Sequence, residues 1–222
     1  MKKFKIGVIR VLTTEDPKIL ELHGNLLEKY YPQFETISRC IPNQPTGVHD
    51  DETERIAIPK VIALGREMAP KVDAIIISCA GDPGLEGLRE AVDIPVIGAG
   101  EATASLATKY GEIFGVLGIT DEPPVAYRKY FKNIVGIHRP STVHNTLDLM
   151  KEEGRKAVFE TAISIKEAGA QVIAISCTGI GPLEICGEIE AHCGIPVIDP
   201  IMAEGLAAYY ECLRRAAIKT AI

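Results

Sequence analysis

Three observations on this 222-residue chain predict an α/β fold of two similar halves, each a four-stranded parallel sheet flanked by helices. Short β-branched runs alternate with longer stretches of helical period, the pattern of parallel strands joined by crossover helices. The phrase Asp73-Ala-Ile-Ile-Ile-Ser-Cys79-Ala-Gly81 returns 98 residues later as Gln171-Val-Ile-Ala-Ile-Ser-Cys177-Thr-Gly179. Two more phrases repeat in the same order around it: Ile6-Gly-Val-Ile9 with Phe114-Gly-Val-Leu117, and Ile94-Pro-Val-Ile97 with Ile195-Pro-Val-Ile198. Such a repeat marks a duplicated structural unit. The expected halves are residues 1–105 and 106–222, related by a pseudo-twofold, with the final helix at 200–222 packing back onto the first.

Eight strands are expected at Phe4–Val11, Thr36–Ile41, Ala74–Ser78, Pro95–Gly98, Ile113–Ile119, Ile134–His138, Val172–Ser176 and Pro196–Ile198. Asp16 and Pro17 form a cap and first residue for a helix whose apolar face is Ile19, Leu22, Leu26, Leu27 and Tyr30. A second helix is expected from Glu52 to Met68, kinked or started by Pro59. Further helices are read at Met150–Lys166 and Ala203–Ile218, the last ending in Arg214, Arg215 and Lys219. Each repeated Ile-Pro-Val-Ile phrase leads through a Gly or Pro turn into an Ala-rich helix.

Composition narrows the function. Hydrophobic residues make up 46% and charged residues 24%, enough to bury a core. With 24 Lys and Arg against 30 Asp and Glu, the net charge of -6 lacks the usual footprint for nucleic acid or a membrane surface. The longest charge-free run, Ala168–Leu183, is 16 residues and breaks at Gly179, Gly181 and Pro182, too short to span a bilayer. Between Lys5 and Arg10 there is no room for the apolar region of a signal peptide. A cytoplasmic protein is expected, so its six cysteines are expected to be free thiols. Cys186 and Cys193 do not have zinc-site spacing, and no metal or other cofactor is expected.

Ligands of open α/β sheets sit outside the carboxyl ends of the strands. Cys79 and Cys177 both stand there, so facing halves would place both thiols on one cleft. Each is followed by glycines and a proline, with Asp82 read as the cap of a helix opening at Pro83 and Pro182 as the start of another. Helix N-termini favour an anion such as a thiolate. Two thiols on opposite sides of a small substrate suit inversion at a carbon acid: one takes the proton, backbone N–H groups hold the enolate, and the other returns a proton to the opposite face. Taken singly, each cysteine reads more readily as a buried packing residue than as a catalyst, and it is the repetition that brings the two readings level. The residues alone also leave open a two-lobed small-molecule binding protein, or a redox protein joining the two thiols.

The paired Ile-Ser-Cys segments resemble the aspartate/glutamate/hydantoin racemase superfamily over essentially the whole chain. Ile77-Ser-Cys79-Ala-Gly-Asp-Pro-Gly-Leu85 is similar to the first catalytic segment of hydantoin and allantoin racemases, and Ile175-Ser-Cys177-Thr-Gly179 to the second. The resemblance implies two flavodoxin-like subdomains, an active site between them, and Cys79 and Cys177 as the acid–base pair. Glutamate and aspartate racemases typically carry Asn-Thr, Thr-His and Asp-Ser where this chain has Ala80-Gly81, Thr178-Gly179 and Val11-Leu12. Most of the groups that grip a charged amino acid are missing, which favours a neutral 5-substituted hydantoin over the amino-acid substrate of a related racemase. Hydantoin racemases commonly have Asn-Pro-Asn and then Ser or Thr after the first strand, whereas this chain has Arg10-Val11-Leu12-Thr13-Thr14.

The expected substrate-binding set is therefore Val11, Ala80, Gly81, Thr178 and Gly179, with Thr46 and Thr120 on the rim and Thr13 or Thr14 beside them. His49-Asp50-Asp51 reads as a charged loop and helix start. Cys40, Cys186, Cys193 and Cys212 are assigned to packing. The expected partner is a small molecule, with a homo-oligomer contact through Tyr209 or Tyr210 as a further possibility.

Overall fold

A computed structural model describes residues 3–136 and 138–221. The chain builds two four-stranded sheets in which every pair of neighbours is parallel. The first contains β1 (Phe4–Arg10), β2 (Phe34–Cys40), β3 (Ala74–Ile77) and β4 (Val96–Gly98), in the order β2-β1-β3-β4. The second repeats that order with β5 (Ile113–Leu117), β6 (Asn133–Val135), β7 (Val172–Ile175) and β8 (Val197–Ile198), as β6-β5-β7-β8. Every residue of β3 and of β7 is buried, as central strands of covered parallel sheets must be.

Among the described residues seven α-helices connect these strands and an eighth follows the last: α1 (Pro17–Tyr30), α2 (Asp51–Met68), α3 (Leu85–Ala91), α4 (Ala99–Ala107), α5 (Val125–Tyr130), α6 (Glu152–Glu167), α7 (Cys186–Cys193) and α8 (Pro200–Ala221). Asp16 caps α1, accepting from the Lys18 amide at 2.9 Å. At α2 the cap is Asp50, closed into a box with Thr53, so the helix starts one residue before the expected Glu52. Pro59 lies inside α2 and the helix runs through it. Asp199 accepts from the amides of Ile201 and Met202 and starts α8 at Pro200, earlier than the apolar pattern indicates.

Alternate residues of each sheet feed cores on its two faces. On the first sheet, Ile9, Ile75 and Ile77 pack with Val61, Leu64 and Leu88 of α2 and α3. Its other face, Ile6, Val8 and Ile76, packs with Leu26 and Leu27 of α1 and with Ile201, Ala208 and Cys212 of α8. On the second sheet, Leu117, Ile173 and Ile175 meet Val158, Ala162 and Ile165 of α6 and Ile189 of α7. Phe114, Val116, Val172 and Ala174 meet Ala104 and Ala107 of α4 and Tyr127 of α5. Full burial of each such Ile, Leu or Val contributes about 1.5–3 kcal/mol. The connecting helices are thus exchanged: α4 leaves the first sheet to cover the second, and α8 leaves the second to cover the first.

Several expected details change. The strands bearing the two cysteines stop at Ile77 and Ile175, because the chain curls outward once Ser78 and Ser176 have donated to Ile9 and Leu117. No helix opens at Pro83: Asp82 has a left-handed φ of 53°, Gly84 follows at 74°, and α3 begins at Leu85. Pro182 sits in one 3-10 turn, Gly181–Leu183, which Glu184 ends at φ 51° before α7. Another 3-10 turn, Thr146–Met150, precedes α6 where the helix was expected to begin at Met150. In the expected strand Ile134–His138, the ladder ends at Val135 and Gly136 takes φ 88°; Ile137, like Met1, Lys2 and Ile222, lies outside the described residues. Tyr209 packs among Phe4, Tyr31 and Phe34, while Tyr210 is exposed.

Candidate active site

The carboxyl ends of β1, β3, β5 and β7 open onto one cavity of about 560 Å³, within the usual size range for small-molecule sites. Cys79 and Cys177 both line it, each less than a tenth exposed. They occupy matching places, directly beyond the serines that follow the two central strands. The halves are tied together here: Thr178 Oγ1 donates to the Ser78 carbonyl at 3.1 Å, joining the residue before one cysteine to the residue after the other.

Loop amides, rather than the helix N-termini expected from the prolines, face the sulfurs. The Gly81 amide favours the charged form of Cys79, while the amides of Gly179 and Ile180 and the Thr146 hydroxyl favour that of Cys177. Donors directed at a thiolate favour ionisation, and burial opposes it. Burial prevails at both. Cys177 is pushed up to about 11, and Cys79 rises further because it has fewer donors and faces Asp82, Glu54 and Cys177. Cys177 is the thiol more readily ionised.

Asp82 caps a different helix from the one expected. Its carboxylate accepts from Gly100 N at 2.8 Å and Glu101 N at 2.7 Å, satisfying the free amides of α4 across the domain. Burial still holds its carboxyl up at about 7. The approach depends on glycine: a Cβ on Gly100 would lie 2.1 Å from the Ala80 carbonyl oxygen. At the second cysteine, a Cβ on Gly179 would meet Thr146 Cγ2 at 2.3 Å.

Val11, Ala80, Gly81, Thr120, Thr178 and Gly179 line the cavity with the cysteines. Thr46 does not. It is exposed, and the turn presents Gly47, Val48 and His49 to the cavity instead. Thr13 and Thr14 also lie outside the lining; Thr13 donates to the Ile41 carbonyl and accepts from Gln44 N, bracing the loop. Thr120 turns its hydroxyl to the Glu122 carbonyl at 2.7 Å. The loop holding Asp50 is a helix start as read, yet His49 faces the cavity and its buried Nδ1 has no partner among the described residues.

Sequence reasoning passed over Thr146, Glu54 and a buried polar group of which Arg10, His23 and Ser78 also line the cavity. His23 Nδ1 and Ser78 Oγ are 2.8 Å apart, and Ser78 Oγ donates to Glu204 Oε1 at 2.8 Å. Arg10, only 4% exposed, donates to the carbonyls of Ile19 and Leu20. Burial and the neighbouring Arg10 keep His23 neutral, and burial holds the Glu204 carboxyl well above its ordinary range. One signal was available: an arginine ending a buried strand, and a glutamate on the apolar face of the last helix. Among the described residues, no group of three His, Cys, Asp or Glu side chains is placed to hold a metal ion.

Comparison with known proteins accords with this arrangement. The hydantoin racemase of Rhizobium meliloti is 30% identical over 169 residues, covering 72% of this chain and 68% of that protein. That of Pseudomonas sp. (strain NS671) is 26% identical over 174 residues, covering 72% and 66%. The match thus spans about two thirds of the length of these curated relatives. The structure of allantoin racemase from Klebsiella pneumoniae superposes with a TM-score of 0.78 at 24% identity, covering 94% of this chain and 87% of that one. The model of the Asp/Glu/hydantoin racemase family matches residues 6–204, and the chain belongs to that family.

Proposed function

We propose that the protein is a cofactor-independent racemase acting on a small carbon acid, a 5-substituted hydantoin, with Cys79 and Cys177 as its acid–base pair. The observation that carries this reading is two buried thiols at matching strand ends of two duplicated sheets, both opening onto one cavity. The hydantoin racemases among the relatives support the substrate class. So does the lining, where Ala80, Gly81 and Gly179 offer backbone groups that suit a neutral ring amide.

In this mechanism Cys177, the more easily ionised thiol, takes the proton from the ring carbon bearing the substituent. The adjacent ring carbonyl delocalises the charge as an enolate. Cys79 then delivers its proton to the opposite face, and the reverse reaction exchanges the roles. Both thiols must be reduced, which fits six free cysteines and a cytoplasmic setting. No helix among the described residues is long and apolar enough to cross a membrane. The same reading allows a homo-oligomer through the exposed Met202, Leu206, Tyr210 and Leu213 of α8, which sedimentation would test.

Deuterium exchange tests the mechanism. Wild type should racemise an enantiopure hydantoin in D₂O with incorporation at the ring carbon. Cys79→Ser and Cys177→Ser should each abolish racemisation, and each should keep exchange from only the enantiomer whose proton faces the remaining thiol. Either single variant racemising at the wild-type rate would falsify the two-thiol mechanism.

A further inference from the structure

The space above the Gly81 backbone is flanked by two chemically active groups. An atom placed where a Gly81 side chain would begin lies 3.8 Å from Cys79 Sγ and 3.9 Å from Glu54 Oε2. All three residues face the cavity. A ligand close enough to exchange a proton with Cys79 therefore comes within reach of the Glu54 carboxylate.

Glu54 differs from the other acids around the cleft. Asp50 is used in capping α2, Glu52 is held by both ends of the Arg55 fork, Asp121 pairs with Arg139 at 2.9 Å, and Asp51 and Glu122 are exposed to water. Glu54 is half-buried in the first turn of α2 and accepts no hydrogen bond from any described residue. Burial, with Asp51 nearby, raises its carboxyl above the ordinary value. A half-buried carboxylate with no protein donor has room for one on its cavity side, and that space is the substrate's. In a hydantoin, the ring atom bonded to the reacting carbon on the side away from its carbonyl is N1, which carries a hydrogen.

We infer that Glu54 accepts a hydrogen bond from the substrate N–H next to the reacting carbon, so that it positions the ring against Cys79 and selects substrates with an unsubstituted N1. The inference rests on the hydantoin reading. It assigns Glu54 no proton transfer, so its effect belongs in KM.

The experiment compares wild type, Glu54→Gln and Glu54→Ala on an enantiopure 5-alkylhydantoin and on its N1-methyl derivative. A hydrogen bond to a charged group predicts that Glu54→Ala raises KM about ten- to hundred-fold while kcat changes far less. Wild type should strongly prefer the N1–H substrate, and Glu54→Ala should lose most of that preference. Glu54→Gln keeps the shape and an acceptor oxygen, should fall between the two, and decides the matter should the alanine variant not fold. An unchanged KM with the preference intact, a loss confined to kcat, or equal use of both substrates by wild type would overturn the role given to Glu54. Wild type racemising neither compound would instead refute the hydantoin reading itself.

Discussion

Replacing Thr146 with valine tests which thiol ionises first. Cys177 at about 11 lies some four units above neutrality, so its thiolate fraction at pH 7 is on the order of one in 10⁴, a cost of about 5 kcal/mol. The charged form is the base, so kcat/KM should climb about tenfold for each pH unit between 7 and 10. The Thr146 hydroxyl favours that charged form by hydrogen bonding. Such a bond is worth about 1.5–3 kcal/mol, so its removal raises the thiol by about one to two units. The less stabilised thiolate is also the stronger base, which returns part of the loss. The expected result for Thr146→Val is a fall of roughly tenfold in kcat/KM at pH 8, with the rising limb displaced to higher pH. Both enantiomers should be affected equally, because an equilibrium constant of one fixes equal kcat/KM in the two directions. Polarimetry from pH 6.5 to 10 reads the profile, and iodoacetamide labelling of Cys177 at each pH reads the thiol directly. A flat wild-type profile between pH 7 and 9, or coincident profiles for the two proteins, would refute the reasoning.

Other variants probe the frame of the site. Gly100→Ala puts a methyl 2.1 Å from the Ala80 carbonyl oxygen, a backbone atom, and should cost about 2–4 kcal/mol in urea unfolding. Thr178→Val leaves the Ser78 carbonyl without its cross-cleft donor and should destabilise by about 1–3 kcal/mol, with racemisation falling as the two cysteine loops lose register. Glu204→Gln should behave in the opposite sense. The raised carboxyl of Glu204 makes the native state hold a proton that the unfolded chain releases above about pH 4.3, so wild-type stability falls as pH rises beyond that point. The amide does not titrate, and the melting temperature of Glu204→Gln relative to wild type should therefore increase from pH 5 to pH 8. A constant difference across that range would show that Glu204 is not held protonated.

What could be read from the sequence was whatever depends on local pattern or on repetition. Ala74–Ile77 and Val172–Ile175 are unbroken apolar runs because both faces of a central parallel strand are covered. Asp16-Pro17 announced α1 because cap and first turn are adjacent in the chain. The cysteines stood out because duplication wrote their setting twice. Features dictated by distant contacts stayed hidden. Asp82 has the composition of a local cap, yet its partners are the amides of Gly100 and Glu101. Thr46 has the chemistry of a rim residue, but the turn directs its neighbours inward instead. Thr146 acts on Cys177 from the 3-10 turn between β6 and α6, where neither period nor repeat gives a signal.

The two thiols stand at matching strand ends, but both the loop backbone and the side chains around them differ. Cys177 receives two amides and a hydroxyl, while Cys79 receives one amide and faces the carboxylates of Asp82 and Glu54. Those charges oppose a thiolate at Cys79 and leave its proton in place. Turnover needs one thiolate and one thiol, and the neighbours of Cys79 make Cys177 the favoured thiolate of the free enzyme. This asymmetry leaves the equal kcat/KM of the two directions intact, since both start from the same pool of free enzyme and pass through the same transition state. Removing the carboxylates, as in Glu54→Gln combined with Asp82→Asn, should bring the two thiols closer in reactivity. The ratio of iodoacetamide labelling at Cys79 to that at Cys177 should then rise toward one, and a ratio unchanged from wild type would place the origin of the asymmetry in the backbone donors alone.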